Sequence, residues 1–290
     1  MKNSEFEAWD DGRLVVNQDF AATLRRNGLI TFDSVMQHRG ETVAKNLLRE
    51  RVTTRFTLRN EDGSEDAFYI KRHSPPPWKE YIKPLLRLTS PMLGARHEWE
   101  AILQFHRAGI PTMTPVALGE SGGHSFLITH ALEGCTKLSH WLQPAHGTIG
   151  VHFGADAKPA APGRSDRRSS AEKRGIIRKL GQIARTMHSS GMHHQDFYLT
   201  HFLRPNDVDD DRLYVIDLGR VRRRKLLAKR WIVKDLAQLN YSSPQVTKAD
   251  RLRFLETYLG RPLNRADRPL LWQIERKTHA IRRHSARHQL

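Results

Sequence analysis

His193-His194-Gln195-Asp196-Phe197-Tyr198-Leu199-Thr200-His201-Phe202-Leu203 is followed, ten residues on, by Leu213-Tyr214-Val215-Ile216-Asp217-Leu218-Gly219. The first stretch is an H-x-D loop. The second is a hydrophobic strand that runs into an acid. A carboxylate held within hydrogen-bond reach of a hydroxyl aligns it and accepts its proton late in a transfer. An ionised carboxylate at the end of a buried strand needs a partner, and a magnesium ion is a natural one. Asp196 and Asp217 therefore read as two acids with different jobs. Taken alone, Asp196 also fits a residue that merely caps a turn, and a lone Ile-Asp-Leu-Gly is weak. The pairing, twenty-one residues apart, is what carries weight.

Upstream, the pattern predicts strands at Val15-Val16, Arg51–Leu58 and Asp66–Lys71, the last two joined by the turn-rich Asn60-Glu61-Asp62-Gly63-Ser64. Pro75-Pro76-Pro77 closes that region. A helix is expected from about Arg96 to Ala108, with Trp99, Ile102, Leu103 and His106 at helical spacing and Gly109 and Pro111 as its stop. Thr114–Gly119 and Ser125–Thr129 read as two further strands. Residues 143–168, rich in Ala, Gly, Pro and His, read as an insertion or mobile loop. A helix then starts at Ser169, with Glu172 completing a capping box, and carries the apolar stripe Ile176, Ile177, Leu180, Ile183, Ala184 and Met187. Beyond Asp217 the chain is helical and basic.

Lys71 ends an alternating strand, where a lysine can neutralise nucleotide phosphates. Glu98 in the next helix shares a face with Ile102 and Phe105 and is preferred to Glu100 as its partner. The order of strands, helix, strands, helix, H-x-D loop, strand-Asp and helices is that of an α+β, protein-kinase-like two-lobed fold. Its β-rich ATP-binding lobe is expected over 1–130 and its mainly helical lobe over 131–290. Two features depart from protein kinases. No G-x-G-x-x-G precedes Lys71, so Thr54 and Arg55 are expected to cover the phosphates in its place, with Thr129 also on the nucleotide side. His201 stands where the metal-binding Asn of the loop is expected.

Composition sets the remaining bounds. The chain has 290 residues and a formal charge of +17, from 48 Lys and Arg against 31 Asp and Glu. Arg220–Arg230 alone holds seven basic residues in eleven. Such a surface favours an anionic partner. Cys135 is the single cysteine, so no internal disulfide can form and a reducing cytoplasm is expected. No apolar run approaches the ~20 residues that span a bilayer, and the N-terminus lacks the apolar core of a secretory signal.

These residues together resemble the lipopolysaccharide kinase (Kdo/WaaP) family. The resemblance rests on Arg55-Phe56, Phe68-Tyr69-Ile70-Lys71, Glu98-Trp99-Glu100-Ala101, Gly109-Ile110-Pro111-Thr112 and Pro115-Val116-Ala117. It continues through His194-Gln195-Asp196-Phe197-Tyr198-Leu199-Thr200-His201-Phe202-Leu203, Val215-Ile216-Asp217-Leu218 and Lys234-Asp235-Leu236-Ala237. That family also carries His at the position of His201, which makes His201 an agreement. Gln195 replaces the Arg of H-R-D, so control through activation-loop phosphorylation is not expected. Gly219 replaces a bulkier residue of the family.

The resemblance implies ATP- and magnesium-dependent phosphorylation of a heptose or Kdo hydroxyl in the inner core of lipopolysaccharide. Asp196 would be the catalytic base, Lys71 and His194 its companions, and Asp217 and His201 the metal side. Lipid-A-core glycolipid and an anionic membrane surface are the expected partners, at the cytoplasmic face of the inner membrane, and no nucleic acid is expected. An aminoglycoside- or choline-kinase-like phosphotransferase shares the paired acids, but such enzymes keep the loop Asn. A protein kinase lacks support without the glycine loop and an Ala-Pro-Glu element. A basic nucleic-acid-binding protein would leave Lys71, Asp196 and Asp217 unexplained. A pseudokinase would not be expected to keep all three.

Overall fold

The computed structural model describes residues 5–46, 51–75, 94–142, 164–207 and 209–288. They divide into two compact units. The first runs to Glu133 and takes in Asp217–Val221; the second holds Gly134–Ile216 and Arg222–Leu290.

In the first unit the strands are β1 (Phe6–Trp9), β2 (Leu14–Asn17), β3 (Glu41–Asn46), β4 (Arg51–Arg59), β5 (Glu65–His73), β6 (Pro115–Ser121) and β7 (His124–His130). They form one antiparallel sheet in the order β1-β2-β6-β7-β5-β4-β3. The expected hairpin is present: Asn60 N–H donates to the Ser64 carbonyl at 2.8 Å, and Gly63 takes φ +85°. Side chains alternate across this sheet. Phe56, Leu58, Phe68, Ile70, Phe126 and Ile128 occupy one face. Two short helices that periodicity did not announce, α1 (Ala21–Arg26) and α2 (Phe32–Gln37), supply Leu24, Phe32 and Val35 to cover that face. Thr31 and Ser34 cap α2 reciprocally, which lets six residues hold a helix. Each large side chain buried there contributes roughly 1.5–3 kcal/mol of transfer free energy. The unit is completed by α3 (Arg96–Arg107), which ends at Gly109, where φ is +71°.

The second unit contains β8 (Cys135–Lys137), α4 (Leu138–Trp141), α5 (Arg164–Ser189), β9 (Met192–His193), β10 (Phe202–Pro205), β11 (Tyr214–Val215), β12 (Arg222–Arg223), α6 (Lys229–Tyr241), α7 (Lys248–Leu259) and α8 (Arg268–His288). β11, β10 and β8 pair in that order, and β12 pairs with β9. α5 packs on α7, and α6 on α8. Gly181 sits mid-helix in α5 because a Cβ there would lie 2.9 Å from the Phe254 carbonyl oxygen of α7. The helix after the expected insertion begins at Arg164, not at Ser169, so Ser169 lies inside α5 and is not its cap. Of the expected insertion, residues 143–163 lie outside the described residues, and 164–168 are helical. Among the described residues, no helix is long and apolar enough to cross a membrane.

Candidate active site

Lys71 stands on β5, on the sheet face opposite the α1–α2 core. Its Nζ donates to Glu98 Oε1 at 2.5 Å and lies 3.6 Å from Asp217 Oδ1. Glu98 is buried on α3 and Glu100 is exposed, so helix phase alone decides between them. Asp217 immediately precedes a single 3-10 turn, Leu218–Arg220, with φ +59°. A non-glycine residue in the left-handed region is uncommon and costs of order 1 kcal/mol, a strain found most often at functional sites. Its carboxylate remains about half exposed beside Lys71.

Strand parity corrects one expected residue. Cross-strand register puts Thr54 opposite Ile70, on the core face, and its hydroxyl is buried with Arg72 Nη1 3.4 Å away. Thr54 is thus turned away from Lys71 and is withdrawn from the nucleotide side. Thr53, which the motif reading passed over, pairs directly with Lys71. A count of two along β4 would have found it. Arg55 shares that face and is paired with Glu133 at 2.5 Å. Thr129 lies opposite Tyr69, also on the Lys71 face, and is almost fully buried.

The H-x-D loop belongs to the second unit and is held by its backbone. α6 presents Asp235 and Gln238 along one side, and Ser242, the residue that follows its last turn, continues that side at i+7. Asp235 accepts the N–H groups of His194 at 2.7 Å and Gln195 at 2.9 Å. Gln238 accepts from Phe197 N–H at 3.1 Å and donates to the Gln195 carbonyl at 2.7 Å. Ser242 accepts from Leu199 N–H at 2.8 Å. Every second amide from 195 to 199 is therefore pinned, and Asp196 is clamped on both sides. Gln195 takes φ +70° to allow this.

Two histidines complete the brace. His201 Nδ1–H donates to the Asp196 carbonyl at 2.7 Å, and His194 Nε2–H donates to the Ile216 carbonyl at 3.2 Å. Their rings stack with centroids 5.9 Å apart.

Asp235 is fully buried. Burial alone would raise its carboxyl pKa. The hydrogen bond and charge of His188, with the His194 amide, outweigh burial and hold it below the usual value. His188 Nε2 donates to Asp235 at 3.3 Å, and its Nδ1 lies 3.0 Å from the Tyr258 hydroxyl. The sequence reading assigned no role to Asp235, Gln238 or Ser242. Their signal is a run of polar residues at helical spacing within an otherwise apolar helix face. His193, next to the loop, is buried against Trp231 at 4.7 Å, and desolvation lowers its pKa to about 4, so it is a neutral packing residue at ordinary pH.

As a metal position, the donor chemistry favours Asp217. It offers a hard, half-exposed carboxylate. Magnesium commonly takes one or two carboxylates and completes its shell with water and substrate phosphate oxygens. The Nδ1 of His201 is committed to the loop, and imidazole is a soft choice for this ion. Among the described residues, no group of three or more His, Cys, Asp or Glu converges as a preformed metal centre.

Comparison with known proteins places this geometry. The model of the lipopolysaccharide kinase (Kdo/WaaP) family matches residues 33–155 and 157–258. The lipopolysaccharide core heptose(I) kinase WaaP of Pseudomonas aeruginosa is 36% identical over 284 residues, covering 93% of this chain and 96% of that protein. The protein of the same name from Escherichia coli is 33% identical over 283 residues, covering 93% of this chain and 97% of that protein. A solved structure, WaaP in complex with acyl carrier protein, aligns with a TM-score of 0.65 at 33% identity, over 92% of this chain and 98% of that one. The α+β, protein-kinase-like fold read from the motifs is therefore the fold of this chain. The chain belongs to the lipopolysaccharide kinase (Kdo/WaaP) family and is a kinase.

Proposed function

We propose that this kinase transfers the γ-phosphoryl group of ATP to a heptose or Kdo hydroxyl in the inner core of lipopolysaccharide. The observation that carries the reading is the meeting of Lys71 with both Glu98 and Asp217, residues far apart in sequence, in the manner needed to hold nucleotide phosphates. Glu98, itself buried, fixes the Lys71 ammonium so that its charge faces phosphate without a search through rotamers. Thr53 and Arg55 flank it on the same strand face. Asp217 would hold magnesium, which when bound neutralises charge on the phosphates. Asp196 aligns the sugar hydroxyl and accepts its proton. His194 and His201 keep that aspartate in place.

The acceptor is presented at an anionic membrane surface. The support is the loop between β12 and α6, where Leu226 is 90% exposed amid Arg222, Arg223, Arg224, Lys225, Lys229 and Arg230. An apolar side chain among cations suits a peripheral contact with acidic lipid, worth roughly 1 kcal/mol per basic residue at the surface.

The test offers labelled ATP with heptose- and Kdo-containing core oligosaccharides in solution and with lipid-A-core in anionic vesicles. Label is expected on one core sugar, and Lys71→Ala lowers the rate at least about a hundredfold. Leu226→Asp lowers transfer about tenfold in vesicles and leaves the soluble acceptor unaffected. Transfer to no glycan in either arm would overturn the reading.

One relative was solved with acyl carrier protein, and a feature of this chain favours the same partner. The second unit holds an apolar cavity of about 340 Å³ lined by Ile177, Leu180, Leu239, Phe254, Leu255 and Ile274. We take it as the receptor for the acyl chain. Gel filtration with acylated carrier protein should give a stable complex that Leu239→Glu abolishes. Equal retention of the unacylated carrier would exclude a role for the cavity.

A further inference from the structure

Among the described residues, Leu226 and Trp272 are large apolar side chains that stand exposed beside cations. Leu226 belongs to the loop already described. Trp272 opens a stripe along α8. Residues 272, 276, 279, 283 and 287 fall on one side of a helix, and here they are Trp272, Arg276, His279, Arg283 and Arg287, all exposed. Arg268 stands one turn before Trp272, and Arg282 flanks Arg283; both are also exposed. The stripe from Trp272 to Arg287 runs about 22 Å along the helix. The other side of α8 is spent on the fold. Ile274 and Thr278 are buried there, and Asn240 Nδ2 of α6 donates to Thr278 Oγ1 at 3.0 Å.

The helix itself does not call for this charge. Arg287 near its end suits the helix dipole, but Arg268 opens the first turn, where a cation works against the dipole and no acid stands. Glu275 is the only acid between Arg268 and His288. Among the described residues, no carboxylate pairs with Arg268, Arg276, Arg282, Arg283 or Arg287. Burial, and then the charge of Arg282, lower the pKa of Arg251 on α7, so the neighbouring helix adds a cation there and not a counter-ion. Arg276 Cζ lies 4.6 Å over the Trp272 ring, and the charge of the stripe rests on the other four arginines.

Guanidinium groups make forked hydrogen bonds to phosphate. A straight, solvent-facing row of them beside an indole fits a plane of phosphate headgroups, since tryptophan settles at the boundary between headgroup and acyl chain. A nucleic-acid duplex would engage the arginines and leave the indole idle. We infer that the outer face of α8 docks on anionic phospholipid, with the arginines on headgroup phosphates and Trp272 at their level. The inference rests on the reading that the acceptor is presented at an anionic membrane, and it adds a surface separate in sequence from the Leu226 loop.

The experiment sediments the full chain with vesicles of phosphatidylcholine alone and of phosphatidylcholine mixed with phosphatidylglycerol. Wild type is expected to bind the anionic vesicles only, with an affinity that falls as salt rises. Arg283→Glu combined with Arg287→Glu lowers that affinity about tenfold, and Trp272→Ala lowers it about threefold. On binding, the difference in tryptophan emission between wild type and Trp272→Ala moves to shorter wavelength. The charge reversal has a similar effect in a Leu226→Asp background, because the two contacts are separate. Thermal midpoint and transfer to a soluble core oligosaccharide stay at wild-type values, since the substituted residues are exposed. Unchanged vesicle affinity after the charge reversal overturns the inference and leaves the proposed activity standing. A loss confined to binding of acyl carrier protein or duplex DNA overturns it equally. Should no glycan be phosphorylated, the proposed activity fails and sedimentation still decides the surface.

Discussion

Asp196→Asn is expected to lower the single-turnover rate of phosphoryl transfer about a thousandfold, within the range for loss of a general base, while leaving the thermal midpoint nearly unchanged. The asparagine side chain has the same shape and can still orient a hydroxyl, but it cannot take the proton. The loop should keep its form, because its position is set through its backbone. The amides of His194, Gln195, Phe197 and Leu199 are held by Asp235, Gln238 and Ser242, and the Asp196 carbonyl by His201. Rapid-quench measurement with labelled ATP, beside a circular-dichroism melt, separates the two effects. A variant that turns over at the wild-type rate would remove Asp196 from the chemistry.

Asp235→Ala should destabilise the second unit by about 3–5 kcal/mol. It removes a fully buried carboxylate and leaves three donors without an acceptor: the amides of His194 and Gln195 and Nε2–H of His188. Asp235→Asn keeps one acceptor oxygen and should cost roughly half as much. Activity falls in both because the loop loses its anchor.

The pH dependence has a definite sign. The folded pKa of Asp235 lies below its ordinary value of 3.8. Its contribution is therefore complete above about pH 4 and is lost as pH falls through the depressed folded value. Urea unfolding at pH 7.5 and at successively lower pH below 4 measures this. The gap between wild type and Asp235→Ala should be constant at the higher values and narrow in acid. A gap that stayed constant through the acid range would mean that the carboxylate is not what holds the loop.

Both predictions concern residues that differ in how visible they are in a linear sequence. Asp196 is visible because the chemistry demands a particular acid at a particular distance from a histidine and from a second acid. Asp235 lies within a stretch that matched the family and was given no role, since its work is to satisfy backbone amides about forty residues away. Such a partnership leaves only a faint trace, a polar residue where a helix face is otherwise apolar. The Thr54 expectation failed for a simpler reason. It rested on residue type in the place of the missing glycine loop, whereas a strand alternates faces, and only the register with β5 shows that Thr53 stands across from Lys71. The start of α5 was misplaced because Ser169 and Glu172 have the spacing of a capping box, and that spacing can also occur inside a longer helix.

The hairpin leading to Lys71, the helix bearing Glu98, the strands on either side of Gly122-Gly123 and the two acids Asp196 and Asp217 could all be read from residue type and spacing, because local propensity and short-range chemistry specify them. The convergence of Lys71, Glu98 and Asp217, the choice of Thr53 over Thr54, and the grip of α6 on the H-x-D loop were decided only by tertiary structure. These depend on strand register, helix phase and long-range hydrogen bonds, which arise when the chain closes on itself.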